Sequence, residues 1–522
     1  MKKIFLSIAL CAGLLTSCDM NKEPIGSLPE GDALQTYNDF YRFRNGIYSN
    51  LRALGGGSYI YATEIQMDDF IGLISNGNQL GQFNNGTIYS NNSDIESVWA
   101  GLYGAIANCN YLLEKLEPAI SNESFTDADR EEFKRFKAET KFARAYYYFY
   151  MFDHFCQAYT PEKANEPALG LPLVTEYKPE GIQSKYPGRS TMAETMNLIL
   201  NVDLKEAFDG LTEYEEYLGS EVSEIRGRNS YWINTDVVKA LQARIALLTG
   251  DYETAISKSK ELINCGRYTL ATTASFIKMW SSDQGSELIF VPYGDAQQSS
   301  GVPRTSTPYL AYENTKNAWY IPTAATLSLY DDNDVRGKNT TRDPGYFNTW
   351  DLEINGLFYE AKVFWKYPGN SSLVTGTNYR RNLSKYFRLA ESYLIVAEAS
   401  DALGLDGDAN KYLNDLRKRR ITRWQDQTYS GNELTAQIRL ERHRELIGEG
   451  HRMSDLRRWK QGFSRVEATA DYPFSSDNII PCFVRAGRNV VYTENDHRYV
   501  WPIPSSEMEV NPQLKGQQNP GY

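Results

Sequence analysis

Histidine is scarce in this chain: His154, His443, His451 and His497 are four residues among 522, and none forms an HxH or HExxH arrangement. Zinc chemistry is disfavoured, and no metal site or cofactor is expected. Cysteine is also sparse. Beyond Cys11 and Cys18, only Cys109, Cys156, Cys265 and Cys482 occur, far apart and without a CxxC pair, which is the usage of small buried residues. If they pair, spacing does not choose among the three connectivities. Basic charge is short as well, with 55 Lys and Arg against 66 Asp and Glu and a formal net charge of −11. The basic face that phosphate backbones demand is missing, so nucleic acid is an unexpected partner. Finally, the chain has no long apolar run after Ile4 to Leu15. That run, roughly a dozen residues, is well below the ~20 needed to cross a bilayer as a helix.

What is present begins with Lys2-Lys3, then the short apolar run, then Leu15-Thr16-Ser17-Cys18. The order basic, apolar, small residue, cysteine resembles a bacterial lipoprotein export signal, which implies removal of residues 1–17 and acylation of Cys18. An ordinary signal peptide with an incidental cysteine is the competing reading. Residues 18–30 are polar and carry Pro24 and Pro29, so they read as an extended, lipid-anchored tether.

Helical patterning dominates the remainder. In Glu131 to Asp153, Phe133, Phe136, Ala143, Tyr147 and Tyr150 recur at helical spacing and predict one buried stripe. Thr191 to Leu211 behaves likewise, with Ser190 as the expected N-cap and Glu194 near the capping-box position. Asp236 to Leu248, Gly250-Asp251 and Tyr252 to Asn264 predict two helices around a tight turn. Arg388 to Leu403 and Asp408 to Arg420 repeat that design, and Glu433 to Ile447 with Met453 to Gln461 add a further pair. The hairpins resemble degenerate tetratricopeptide units.

The 37 Tyr, 22 Phe and 9 Trp stand against a mean hydropathy of −0.52, so many rings are expected at partly wet positions. Between 269 and 385 the sequence turns to Gly, Pro, Ser, Asn and aromatics, which predicts a long irregular region where loops shape a binding site on a rigid frame. Planar rings stack on the C–H faces of sugars at small entropic cost, which selects Trp280, Tyr293, Tyr309, Trp319 and Tyr320 as ligand platforms, with Arg304 and Asn314 as polar contacts.

The closing segment, from Arg498 through Trp501-Pro502-Ile503-Pro504 to Asn519-Pro520-Gly521-Tyr522, resembles the terminal signature of the SusD/RagB family of Gram-negative outer-membrane lipoproteins. Further blocks agree in order: Gly46-Ile47-Tyr48, Trp99 with Tyr103, Ala138 to Tyr148, Asp203-Leu204, Phe387 to Tyr393, and Glu441-Arg442 through Gly450-His451-Arg452 to Trp459. Gly448 departs from the large apolar residue usual at its position. The resemblance implies a mainly α domain over residues 31–522, built on about four tetratricopeptide-like units. It further implies a non-catalytic lipoprotein on the outer-membrane surface that captures oligosaccharide or polysaccharide and delivers it to a TonB-dependent, SusC-like barrel transporter. Capture of peptides is the alternative, a lipoprotein glycosidase is a weaker one, and a purely structural adaptor comes last.

Two constellations invite chemistry. Glu441, Glu445 and Glu449 lie one helical turn apart, but their arginine neighbours point to ion pairs rather than to the flanking acids of a glycosidase. Asp331 to Asp334 lacks the alternating ligands of a calcium loop, and Asp334-Val335-Arg336 resembles a family motif at a loop corner, which implies a structural role. Asp68 or Asp69 is expected to brace the following loop, and Trp99 to be core.

Overall fold

The computed structural model describes residues 33–73, 80–178, 181–296, 311–312, 317–337, 345–354, 357–373, 381–465, 472–475, 478–480, 485–486 and 489–522. Cys18, Cys482, Arg304, Tyr309 and Asn314 therefore lie outside the described residues.

Helices start where short polar side chains satisfy the orphan amides of the first turn. Thr36 and Thr126 form capping boxes with Asp39 and Asp129 and open α1 (Tyr37–Leu54) and the later, longer Asp127–Phe155 helix. In chain order the long helices are α1, α2 (Ser58–Gln66), α3 (Ser93–Ile120), α4 (Asp127–Phe155), α5 (Leu204–Leu218), α6 (Thr235–Thr249), α7 (Tyr252–Asn264), α8 (Thr273–Ser282), α9 (Leu389–Ala402), α10 (Asp406–Arg420), α11 (Gly431–Leu446) and α12 (Arg452–Arg458). The chain is mainly helical, as the periodicity predicts. Helix α6 is capped by Asn234 and stopped by Gly250 at φ +80°, a left-handed conformation that glycine adopts without a Cβ clash; Asp251 then caps α7 through the Thr254 amide. The α6–α7 and α9–α10 pairs stack on one another through α7 and α9.

Two expectations need correction. Helix α4 does not bury one stripe: from Phe142 to Phe155 every residue except the helix's earlier polar turns is enclosed, because α3, α5 and the C-terminal segment wrap it. The 191–211 stretch is capped by Thr191, not Ser190, with Glu194 completing the box. It passes through a π-helical turn, Leu198–Asp203, before α5. That turn leads into a buried pair in which Asp203 accepts Arg144 Nε at 2.8 Å and Nη2 at 2.6 Å.

The largest core joins α1, α3, α4, α5 and α6 to Trp501, Ile503 and Leu514. The C-terminal turn is fastened there: Asn519 Nδ2 donates to the carbonyls of Phe155 (2.8 Å) and Trp501 (2.7 Å). A second core gathers α8 with Phe70, Tyr320, Tyr346, Phe347, Phe364, Tyr367 and Ile447. Around it lie short strands. Strand β1 (Phe70–Leu73) pairs antiparallel with Tyr320–Pro322 on one side and Arg485–Ala486 on the other. Phe347–Ile354 and Leu357–Phe364 form an eight-pair antiparallel hairpin. The 269–385 region is thus less irregular than its composition suggests.

Cys109 and Cys156 are buried free thiols, and Cys265 is a half-buried one. Among the described residues, no helix is long and apolar enough to cross a membrane.

Candidate functional site

The short strand Leu288–Phe290 pairs antiparallel with Phe387–Arg388, while Ser230 bridges Phe290 in parallel and accepts the Val291 amide at 2.9 Å. Two segments therefore run side by side and carry Tyr231 and Tyr293 to one place. Their rings meet edge to face, 5.5 Å apart at 86°. Tyr293 is 50% exposed, so its ring is open to water although its backbone is fixed. Arg52, itself buried, donates from Nη1 to the Tyr293 carbonyl at 2.8 Å, and the Tyr293 hydroxyl donates to Asp295 Oδ2 at 2.9 Å. That hydrogen bond, with some help from burial, raises the phenol above its ordinary pKa. The residue after Tyr231 is firmly packed. Trp232 is packed against Tyr48 at 5.9 Å, and the guanidinium groups of Arg44 and Arg135 lie 4.5 and 4.8 Å from its ring.

The other selected rings divide. Trp280 is not a platform: it is 2% exposed, enclosed by Phe276, Tyr346 and Tyr367, with Lys366, Lys385 and Arg388 over its ring at 4.7, 4.9 and 5.1 Å. Tyr320 is likewise a core residue, at 0% exposure, facing Gly72 across the β1 pairing. Both corrections have one cause, the second core, which the polar composition of the region conceals. Trp319 is half-buried against that core, and its carbonyl accepts the Leu73 amide at 3.0 Å. Of the selected platforms described, Tyr293 presents an open ring. Tyr231 and Arg52 carry no local signature in the sequence, because the parallel bridge joins Tyr231's segment to one about sixty residues away and Arg52 reaches the Tyr293 carbonyl from α1, 241 residues distant; Asp295 lies two residues from Tyr293. Trp99 is core, 3% exposed.

The glutamates of α11 form ion pairs. Glu445 meets Arg336, Arg388 and Arg420 at 2.9 to 3.0 Å; Glu441 meets Arg417 at 2.9 Å and Arg336 at 2.7 Å; Glu449 meets Lys366 and Arg388 at 2.6 Å. Burial alone would raise these carboxyls, but the cations outweigh it, holding Glu441 and Glu449 at about 2 and Glu445 well below the usual range. A glycosidase acid must keep its proton near neutrality, and these groups do not. Asp334 is equally structural, gripping Arg336 by two hydrogen bonds at 2.9 and 2.7 Å.

Asp68, Asp69 and His443 bring ligand atoms within 4.8 Å of one another. Both Asp68 oxygens and Asp69 Oδ1 are engaged by protein partners, while Asp69 Oδ2 is buried without a hydrogen bond. Arg452 clamps Asp68 at 2.8 and 2.6 Å, and Asp69 Oδ1 accepts from Thr326 at 2.8 Å and lies 2.8 Å from His443 Nε2. A guanidinium in that position opposes a second cation. The pair braces the short Ala324–Leu327 helix, through Thr323 and Thr326, and α12, through Arg452.

Comparison with known proteins places these features in company. Residues 303–522 match a model described as the SusD family, and residues 45–221 match one described as starch-binding associating with outer membrane. A SusD-like protein, P25, of Formosa agariphila is 25% identical over 466 residues, 80% of this chain and 78% of its own length. A SusD superfamily crystal structure from Bacteroides thetaiotaomicron superposes with a TM-score of 0.73 at 26% identity, covering 93% of this chain and 100% of the other. A putative sugar binding protein from Bacteroides vulgatus shares the fold with a TM-score of 0.69 at 24% identity, covering 94% and 99%.

Proposed function

Since the chain belongs to the SusD-like family, we propose that it is a carbohydrate-binding lipoprotein of the outer membrane, anchored through Cys18, which captures oligosaccharide or polysaccharide and passes it to a SusC-like TonB-dependent transporter. No bond in the ligand is broken. The observation that carries the reading is Tyr293, a half-exposed ring on a backbone held by strand pairing and by Arg52. Such a ring stacks on a sugar face with little ordering cost, because the protein has already fixed it. Trp319 is the second candidate platform, partly exposed at the edge of the second core. Arg304, Tyr309 and Asn314 remain candidates for added contacts.

Polysaccharide retention in affinity gels, beside a peptide array, tests the proposal. Tyr293→Ala should abolish retention of the bound glycan and leave the melting temperature unchanged. Binding to peptides with no glycan retained would move the reading to peptide capture. Release of sugar from a bound polysaccharide would establish a glycosidase instead.

A further inference from the structure

We propose that the cavity between α2, α4, α6 and the α11–α12 turn is a binding site for a small carboxylate, which enters together with one proton on His451. The site stands apart from the Tyr293 platform and does not depend on it. Two adjoining hollows share Ile60, Tyr146, Arg244, Glu449 and His451. In the larger one the centres of water-sized spheres have about 60 Å³ to occupy, between walls that include Phe149, Tyr150 and Leu247. One water needs ~10–15 Å³ of such space, so about four water-sized groups fit, which suits acetate and excludes a sugar ring. Tyr59, Ile60, Leu248 and Arg458 are half-buried, so the rim is wet.

The carboxylates of the lining are committed to protein cations. Arg244 grips Glu391 through Nε and Nη2, both at 2.7 Å. Asp455 is divided, accepting from Arg442 Nε and from Arg458 Nη2 at 2.8 Å each, while Arg458 also pairs with Glu398 at 2.7 Å. Asp153 is held by Arg457, and Glu449 by Lys366 and Arg388. Donors, by contrast, are left over. Arg442 is 3% exposed, with Nη1 buried and without a hydrogen bond, and neither ring nitrogen of His451 meets a partner among the described residues. The cavity therefore lacks an acceptor rather than a charge: its guanidinium groups are already matched by carboxylates, and a bare anion would upset that balance. Burial lowers His451 to about 4, with Glu391 and Asp455 favouring its charged form and Arg244 and Arg442 opposing it, so the ring is neutral at pH 7. A carboxylate beside it turns one oxygen to Arg442 and the other to the ring, and favours the imidazolium. Anion and proton then enter as a neutral pair. The other histidine of the cavity, His154, is engaged elsewhere, with Nδ1 2.8 Å from the Tyr150 carbonyl and its ring stacked on Tyr150 at 3.9 Å.

Isothermal titration of the full chain with acetate and with formate, between about pH 7 and about pH 5 and beside chloride at equal concentration, tests the site. Affinity for the carboxylates should rise about tenfold over that range, within the roughly hundredfold that one proton per ligand allows, and buffers of different ionisation heat should report the proton taken up. His451→Gln should remove both the pH dependence and the proton uptake. Ile60→Trp, which fills the hollow without altering a charge, should abolish binding at every pH. Circular dichroism shows that each variant is folded, and Leu248→Trp replaces Ile60→Trp should that variant unfold. A wild type that binds neither carboxylate at about pH 5, binds chloride as tightly, or binds without taking up a proton would overturn the inference. So would His451→Gln with its pH dependence intact.

Discussion

Glu445→Gln separates a buried structural charge from a catalytic one. Glu445 is 0% exposed, and its two oxygens accept from Arg336 Nη1 (3.0 Å), Arg388 Nη1 (2.9 Å), and Arg420 Nε (3.0 Å) and Nη2 (3.1 Å). Glutamine preserves the volume but removes the anion and turns an –NH2 group toward guanidinium. Three buried cations would then share Glu287, Asp334, Glu441 and Glu449, without the carboxylate that links them. Breaking a buried pair by removing one partner costs about 3–5 kcal/mol. Unfolding entropy of about 2.1 cal/mol/K per residue amounts to about 1 kcal/mol/K for a chain of this length melting as one unit. The melting temperature should therefore drop by about 3–5 °C in differential scanning calorimetry at pH 7, and by more if only part of the chain melts with Glu445. Glycan retention below the transition should be unchanged. A variant that melts within about 1 °C of its parent would refute the reasoning, because it would mean that the three arginines do not depend on this carboxylate.

Gly448→Ala should destabilise by about 2–4 kcal/mol, since Gly448 has φ +75° and an added Cβ would lie 2.5 Å from the Phe364 ring; denaturant midpoints measure it. Trp280→Ala should lower stability by about 3–5 kcal/mol, the reverse of the pattern expected at Tyr293, and a loss of retention without a loss of stability would return Trp280 to the site. Acid should weaken the fold along a definite limb. Glu441 and Glu449 titrate at about 2 in the folded chain against about 4.3 unfolded, so their stabilisation is complete above the unfolded value and is lost as pH falls toward 2. Each contributes roughly 3 kcal/mol by linkage, and Glu449→Gln should flatten the decline of urea midpoints between about pH 4.5 and pH 2.

The helical pairs were legible because their signals are local. Asn234, Gly250 and Asp251 punctuate α6 and α7 within a few residues, and the apolar positions of α4 repeat within a turn. That Glu441, Glu445 and Glu449 form ion pairs was legible, but their partners were not: Arg336, Lys366, Arg388, Arg417 and Arg420 come from other segments, and of the arginines beside them Arg444 alone approaches, 3.9 Å from Glu441. The 269–385 region resisted because its order comes from distance in sequence: β1 finds partners near 320 and near 485. A local signal was nonetheless present in α8, where Phe276, Met279 and Trp280 fall at helical spacing and all three are buried. Reading that stripe would have moved Trp280 to the core. Gly448 shows the converse. Its departure from the family pattern follows from a left-handed turn whose amide donates to Glu64 and whose missing side chain leaves space for Phe364, contacts that no neighbouring residue announces.

An abundance of tyrosine and tryptophan therefore says little by itself about how many rings meet a ligand. In this chain most of the described rings of 269–385 serve the second core, where Trp280 stacks with cations and Tyr346, Tyr367 and Phe364 close around it. What distinguishes Tyr293 is the boundary it occupies. The chain leaves Leu288–Phe290 fully buried, keeps its backbone pinned at Val291 and again at the Tyr293 carbonyl, and turns the side chain outward between those two anchors. A ring held in this way loses little freedom when a sugar settles on it, whereas a ring on a free loop must be ordered at the moment of binding. The same short segment carries Asp295, whose carboxylate accepts the Tyr293 hydroxyl and so restrains the outer edge of the ring as well.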